Sequence, residues 1–379
     1  MLRALHDAGF EAYVVGGCVR DSLLGRLPGD WDVTTSALPE ETKTALADLP
    51  VIETGLRHGT VTAVVAGEPV EVTTFRVDGP YSDGRRPDTV AFTRNLTDDL
   101  ARRDFTVNAM AWSSEAGLAD PFGGREDLRR RVIRCVGEPA RRFGEDALRI
   151  LRALRFSAAL GFAVEPGTAA ALREGRARLA GVSAERVAAE LSKLACGENA
   201  PAVLREFPEV IAQVLPEWDC DPGALGRAPA DLPVRLAMLF PSAREAKTAL
   251  RRLKYDNATA RAAEALCAFR SAPLEASRPA VRRMLHTLGP EAFRRLLAMR
   301  AAYGEPFADV ERTLDAVLAG GDCWSLESLA VKGGDLIAAG VPVGPEVGRT
   351  LAAMLDAVID GRCPNDRAAL LAFASRLKN

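Results

Sequence analysis

The sequence predicts an α+β N-terminal region followed by an all-helical remainder. Three observations carry this. Up to about Cys135, short apolar runs with β-branched residues alternate with helical segments and Gly-rich turns. From Phe143 onward apolar residues recur close to a 3.6 period, with almost no strand pattern. Prolines at 201, 208, 216, 222, 233, 273, 290, 342 and 364 then cut the second half into helices. A chain of 379 residues reads as two or three domains. The composition shifts give 1–135, 136–198 and 199–379.

In chain order, Ala12 to Val15 reads as a strand, Gly16-Gly17 as a turn and Val19 to Leu24 as a short helix. A second turn at Gly25 to Gly29 leads into a strand at Asp32 to Thr35. Side chains alternate along a strand, so Asp30 and Asp32 point the same way. Two carboxylates on one face repel unless a cation sits between them. Oxygen-only ligands favour a hard divalent ion, and Mg²⁺ near phosphates is the usual case. Gly16 and Gly17 let a ligand approach the backbone, the following helix start favours a phosphate, and Arg20 stands one turn further on. Taken singly, a Gly-Gly is a turn and an Asp-x-Asp is a solvated strand end.

Pro39 to Ala47 reads as a helix with Glu40 and Glu41 in its first turn. Thr60 to Val65 and Val70 to Phe75 alternate around Ala66-Gly67-Glu68-Pro69, a hairpin pattern. Glu71 stands open between a third acid at the metal site and a solvent-facing strand glutamate. Asp78 to Asp88 is a polar Gly/Pro loop, long enough to be either functional or disordered, and Val90 to Thr93 a strand. Asp98 to Arg102 begins a helix leading into Arg102-Arg103-Asp104-Phe105-Thr106-Val107-Asn108-Ala109, which reads either as a capped junction with a salt bridge or as a nucleotide contact.

Arginines crowd residues 125–142. Phe143 to Leu160 follows as a helix with Gly161 as its C-cap. Within it Asp146 and Glu145 lie three and four residues before Arg149, neighbours on a helix surface, and an intrahelical salt bridge is the plain reading. Ser183 caps a further helix running to Leu194. Beyond 199 no catalytic constellation is visible. Trp218, Trp324 and Phe293 read as core, and Arg251-Arg252, Arg282-Arg283 and Arg294-Arg295 as solvated faces.

A net charge of −2 places any nucleic-acid surface locally rather than globally. Seven scattered cysteines without a Cys-x-x-Cys argue for a reducing cytosol and against zinc or a disulfide framework. No apolar run approaches the ~20 residues that span a bilayer, and Met1-Leu2-Arg3 opens onto mixed polar sequence without a signal peptide pattern. The oligomeric state is not fixed by the sequence.

Gly-Gly-Cys-Val-Arg-Asp at 16–21, Gly-Asp-Trp-Asp-Val-Thr at 29–34, the run 102–109 and Arg142-Phe143-x-Glu145-Asp146-Ala147-Leu148-Arg149-x-x-Arg152-Ala153-x-Arg155-Phe156 are together far more specific than any part. They resemble the class II tRNA nucleotidyltransferase family, which includes CCA-adding enzymes and bacterial poly(A) polymerases. The resemblance is strong through about Leu194, general beyond it, and closest to bacterial CCA-adding enzymes. It implies a palm-like nucleotidyltransferase head, then a helical neck, body and tail, the last two binding tRNA. It implies template-independent addition of C, C and A from CTP and ATP, with Mg²⁺ held by the catalytic Asp30 and Asp32. Gly16, Gly17 and Arg20 would line the nucleotide site, with Arg103 on the phosphates and Asp104 and Asn108 at the ribose. Cytosine and adenine both show an amino donor beside a ring-nitrogen acceptor, whereas uracil and guanine show a carbonyl there. A carboxylate and a guanidinium, Asp146 and Arg149, would therefore accept C and A. Glu145 would hold Arg149, Arg152 and Arg155 would line the pocket, and Glu185 and Arg186 would be mainly structural. The loop with Asp78, Gly79, Asp83, Arg85 and Arg86 would assist the switch to A, with Gly79 and Gly84 as hinges.

Three rivals follow. Against a poly(A) polymerase, Thr54-Gly55-Leu56-Arg57-His58-Gly59-Thr60-Val61 resembles the tRNA-enzyme version of that region. CC-adding relatives lack the polar loop, which leaves an A-adding enzyme as the harder rival. Intact Asp30, Asp32, Arg103, Asp146 and Arg149 argue against an inactive RNA-binding protein.

Overall fold

The computed structural model describes residues 1–81, 84 and 87–377. The chain divides into two units, Met1–Pro216 and Glu217–Asn379.

The first unit is built on a seven-stranded sheet in the order β3-β4-β5-β2-β1-β8-β9. Its strands are β1 Ala12–Val15, β2 Asp32–Thr35, β3 Val51–Gly55, β4 Thr60–Val65, β5 Glu68–Thr74, β8 Ala111–Ser113 and β9 Gly117–Ala119. β6 Arg76–Asp78 and β7 Val90–Phe92 form a separate antiparallel ribbon. The helices α1 Leu2–Asp7, α2 Gly17–Leu23, α3 Pro39–Ala45, α4 Leu96–Ala101 and α5 Gly124–Arg130 decorate the sheet region.

The β4–β5 hairpin is tighter than the sequence suggests. Val65 pairs directly with Glu68, and only Ala66 and Gly67 turn, both at positive φ (53° and 88°). That geometry matches the right-handed twist of the flanking strands. β2 runs parallel to β5 with Asp32 opposite Glu71, so both side chains leave the same face. Ala12, Val33, Val61 and Val72 cover the other face together with Leu5 and Leu46. On the acidic face Tyr13, Val15 and Ala111 pack with Phe75, Leu100 and Val136.

The rest of this unit is helical: α6 Pro139–Glu145, α7 Leu148–Leu160, α8 Pro166–Gly175, α9 Ala184–Ala195, α10 Ala200–Glu206 and α11 Pro208–Val214. Two departures from the sequence expectation stand out. The region expected to be all-α holds a two-residue strand, β11 Ala163–Val164, parallel to β10 Val132–Ile133. The single helix expected from Phe143 to Leu160 is two helices, because Asp146 adopts extended angles (φ −144°, ψ 107°). Gly161 ends α7 at φ 70°, the left-handed cap expected of it. Ser183 is the N-cap of α9 through its backbone, without a side-chain cap bond. The expected head–neck boundary near residue 135 falls inside this unit.

In the second unit the described helices are α12 Pro222–Arg227, α13 Leu232–Ala237, α14 Ala243–Arg252, α15 Asn257–Phe269, α16 Arg278–Ala302, α17 Ala308–Ala319, α18 Gly333–Ala338, α19 Pro345–Ile359 and α20 Arg367–Leu377. α16 is interrupted at Gly289 (φ 76°, ψ 167°), just before Pro290, whose ring cannot sit inside a helix without a break. Phe293 is fully buried, while Trp218 and Trp324 are only half-buried. Cys323, Leu336, Met354, Val358 and Leu370 form a local core under α18 to α20.

Candidate active site

Asp32 opens β2, Asp30 lies two residues earlier and exposed, and Glu71 faces Asp32 from β5. Burial raises the Asp32 carboxyl above its ordinary value. The like charges of Asp30 and Glu71 add to this, and the nearby Arg103 opposes it. This is the signature of carboxylates crowded without a sufficient counter-charge, and a hard dication fits it. Among the described residues no group of three or more potential ligands surrounds one point. The fit is therefore to two aspartates plus oxygens from a substrate, the usual way Mg²⁺ is held beside phosphates. Glu71 shares the face as an outer acid.

Gly16 has φ 83° and N-caps α2. A Cβ there would sit 3.0 Å from Nη1 of Arg103, so glycine is required both for the backbone angle and for the close guanidinium. The Gly16 amide, expected to be open for a ligand, donates to Met110 O (3.1 Å). Arg103 reaches back to Asp99 (3.4 Å), and its buried Nε has no partner. An unpaired buried donor beside a carboxylate pair and a helix start fits an anion.

The remaining predicted nucleotide residues form a chain of alternating charge. Arg20 is buried, donating to both oxygens of Asp21 (2.9 Å each) and through Nη1 to Asn108 Oδ1 (2.6 Å). Asn108 donates to Asp104 Oδ1 (3.1 Å), and Arg152 donates to Asp104 Oδ2 through Nε (2.8 Å) and Nη2 (2.6 Å). Arg155 pairs with Glu190 (2.9 Å), which also lies 3.7 Å from Arg152. Arg20, Arg152 and Arg155 all lie over the Phe156 ring, at 5.0, 5.4 and 3.8 Å. The cations on α7 therefore do not form a bare stripe: each has its own carboxylate. Asp104 and Asn108 are engaged inside this chain, not exposed to solvent.

Burial pushes the Asp104 carboxyl up, but the Arg152 guanidinium and the Asn108 amide outweigh it and hold it at about 2. A depressed native carboxylate stabilises the fold above the unfolded value near 4 and loses that contribution as pH falls toward 2. Unfolding free energy is thus expected to fall by about 2 kcal/mol more in wild type than in Asp104→Asn between about pH 4.5 and 2. Urea melts across that range measure it. Parallel curves would show that the pair contributes nothing to acid stability.

The pair expected to read the base, Asp146 and Arg149, is assembled differently from the helical spacing expected. Because Asp146 breaks the helix, it and Arg149 are not neighbours within one helix; both line a cleft of about 450 Å³. His58, Arg76, Asp78, Tyr81 and Arg102 also line this cleft. Asp146 Oδ1 accepts from the Leu148 amide (3.0 Å) and Oδ2 from Arg186 Nη2 (2.6 Å). Arg149 is fixed by Glu145 (2.7 Å) and by Arg102 O (3.1 Å), with Arg142 on the same Glu145 oxygen (2.7 Å). Glu145 holding Arg149 is as expected.

Asp78 forms an ion pair with Arg76 (3.1 Å) and accepts from the Tyr81 hydroxyl (2.6 Å), which anchors the start of the loop against this cleft. Burial, and then the bond to Asp78, raise the Tyr81 hydroxyl above its ordinary value. Gly79, expected as a hinge, is tied to Thr89. It donates to Thr89 O (2.9 Å), and a Cβ on it would meet Thr89 Oγ1 at 2.3 Å. Gly84 has φ 64°, while Asp83, Arg85 and Arg86 lie outside the described residues.

Three contributors were missed from the sequence. Asp99 is fully buried and touches Thr34, Arg102 and Arg103. Burial opposes its ionisation, but the two guanidiniums outweigh this and hold it below the usual carboxylate range. Arg186, expected to be mainly structural, holds Asp146, and Glu190, one turn later on α9, holds Arg155. Charged residues at i and i+4 on the apolar face of a helix were the available signal.

Residues 12–134 match the Poly A polymerase head domain, and residues 234–374 match tRNA nucleotidyltransferase domain 2. The CCA-adding enzyme of Geobacillus stearothermophilus is 38% identical over 396 aligned positions, covering 98% of this chain and 95% of its own. That of Limosilactobacillus fermentum is 36% identical, covering 100% and 96%. The crystal structure of the Bacillus stearothermophilus CCA-adding enzyme in complex with CTP superposes with a TM-score of 0.85 at 34% identity, covering 100% of this chain and 95% of that one. With likeness of that degree over nearly the whole chain, joined to Asp30 and Asp32 at the start of β2 and a carboxylate–guanidinium cleft, the chain belongs to the CCA-adding enzymes, a family of nucleotidyltransferases.

Proposed function

We propose that this protein adds C, C and A to the 3′ end of tRNA, using CTP and ATP and releasing pyrophosphate. The observation that carries it is the cleft in which Asp146, fixed by Arg186, faces Arg149, fixed by Glu145. Such a cleft offers one acceptor and one donor, which suits the amino group and ring nitrogen shared by cytosine and adenine.

In the reaction, the terminal 3′-hydroxyl of the RNA attacks the α-phosphorus of the nucleotide. The new oxygen–phosphorus bond forms as the bond to the bridging oxygen breaks, and the hydroxyl proton is lost. Asp30 and Asp32 would hold Mg²⁺, which when bound lowers the pKa of the attacking hydroxyl and offsets charge on the departing pyrophosphate. Arg103 presents its guanidinium beside the Gly16 turn, where it neutralises phosphate charge. Asp99 keeps Arg103 and Arg102 in place, and Arg102 O steadies Arg149. The buried chain Arg20–Asn108–Asp104–Arg152 preorganises the floor beneath the sugar. Ribose contacts of Asp104 and Asn108 would follow from an exchange of partners within that chain. Seven free cysteines accord with a cytoplasmic, reducing setting, and no helix among the described residues is long and apolar enough to cross a membrane.

Purified protein offered tRNAs lacking CCA, lacking CA and lacking only A, with each nucleotide in turn, tests the function. Full addition on all three is expected; extension of only the last would assign an A-adding enzyme. The loop supplies a second expectation. Tyr81 and Asp78 tie it to the cleft, so it is placed to adjust the pocket between pyrimidine and purine. Tyr81→Ala and Gly79→Val should each leave CC addition within about twofold and slow the A step about tenfold or more, a change of ~1.4 kcal/mol in barrier. Full CCA at wild-type rate on gels would remove the loop from the switch, and equal loss of C and A would point to damage of the fold.

A further inference from the structure

Val14 of β1 pairs with Val33 of β2 and with Trp112 of β8, and Trp112 pairs in turn with Leu118 of β9. Residues directly opposite in a sheet share a face, so Val14, Trp112 and Leu118 lie on the face turned away from Asp32 and Glu71. There they line a groove of about 500 Å³, to which α2 contributes Val19, Ser22 and Leu23. Trp31 and Arg125 complete the lining. None of these residues lines the cleft of Asp146 and Arg149, and the reaction described above uses none of them.

The groove has a definite chemistry. Trp31 and Trp112 are each 44% exposed, and neither indole stacks on another ring among the described residues. Arg125 is exposed, and among the described residues its guanidinium makes no salt bridge. No carboxylate lines the groove among those residues. The polar groups on offer are therefore two indole N–H donors, one guanidinium and the Ser22 hydroxyl, set around flat apolar surfaces. Such a lining suits a ligand with a flat ring and an anionic end. The volume falls in the range that holds drug-sized ligands, more than a single-ring acid fills. A base against indole, a sugar hydroxyl at Ser22 and a phosphate on Arg125 match it part by part. An RNA end reacting at Asp32 would lie on the opposite face of the sheet, so the occupant is a free molecule. We propose that this groove is a second nucleotide site, which binds a free nucleoside monophosphate with its base on Trp31 and Trp112 and its phosphate on Arg125.

The full-length chain has four tryptophans, so W218F/W324F leaves the two groove indoles as the only tryptophan emitters. Titration of that protein with AMP should give saturable quenching. W112L and R125Q, each made in the same background, should weaken AMP binding at least tenfold, with equal melting temperatures as the check on folding. D146A, which alters the catalytic cleft, should leave the quenching in place. Adenosine and ribose 5-phosphate each carry half of the ligand, and both should bind at least tenfold more weakly than AMP. Absence of quenching by AMP overturns the proposal. Quenching that survives W112L and R125Q but is lost in D146A overturns it by placing AMP in the catalytic cleft. Adenosine binding as tightly as AMP overturns it because Arg125 then holds no phosphate. A dimer in sedimentation that W112L converts to monomer, with no AMP bound, overturns it in favour of a second copy of this chain covering the groove. The titration needs no tRNA, so its failure leaves the proposed addition of C, C and A untouched.

Discussion

Asp32→Ala should lower kcat for C and A addition alike by about a thousandfold or more, the scale on which removing a group that supports transition-state charge acts. Asp32 is the half-buried member of the pair, and its carboxyl is pushed up by burial and by Asp30 and Glu71. Removing it leaves a single exposed aspartate to hold the ion. Asp30→Ala should follow the same course. Binding of tRNA should stay within about twofold, because neither carboxylate belongs to a basic surface. Single-turnover rates with saturating CTP and ATP, beside a direct binding assay, separate the two effects. Activity within about tenfold of wild type, ~1.4 kcal/mol, would show that the metal is held elsewhere. Glu71→Gln should cost far less than either aspartate if the register-matched glutamate is an outer acid.

Asp146→Ala should collapse discrimination between CTP and UTP by about 5- to 150-fold, the range of 1–3 kcal/mol for one unmatched buried polar group. Asp146 spends one oxygen on the Leu148 amide and the other on Arg186. A base amino group must therefore share or displace Arg186 to reach the carboxylate. Arg186→Gln should separate the two roles. It keeps Asp146 in place through Leu148, yet frees its second oxygen and removes the guanidinium that orients it. Selectivity should fall in this variant while metal-dependent activity persists. Misincorporation on a tRNA awaiting C is the readout. Unchanged selectivity in both variants, with measurable activity, would return Asp146 to a helix-terminus salt bridge.

How much of this was legible from sequence follows the range of each interaction. The strand–turn–helix–turn–strand at 12–35 depends on local alternation and on glycines at turns, and the structure has it at nearly the expected bounds. Expecting Asp30 and Asp32 on one face rested on the period of a strand, whereas β2 begins only at Asp32. Glu71 was left open because strand register is a long-range property; the parallel β2–β5 pairing sets it opposite Asp32, where its side chain is exposed. The hairpin turn was read too long because Ala66 at positive φ carries no sequence signal of its own.

The clearest failure was the helix across Asp146. Its apolar period continues through the break, so spacing alone joined α6 to α7 and made Asp146 and Arg149 intrahelical neighbours. What holds the Asp146 carboxylate is a capping bond from the Leu148 amide and an arginine forty positions away. The sequence by itself determined the strand that carries Asp32, the order of helical segments and the identity of the charged residues, since these rest on local periodicity and residue chemistry. Only the tertiary structure decided which carboxylate holds which arginine across segments: Asp104 with Arg152, Glu190 with Arg155 and Asp146 with Arg186. All three pairs join different segments, and in each many cations compete for few buried acids. Partner choice there is set by packing and desolvation, which no spacing rule encodes.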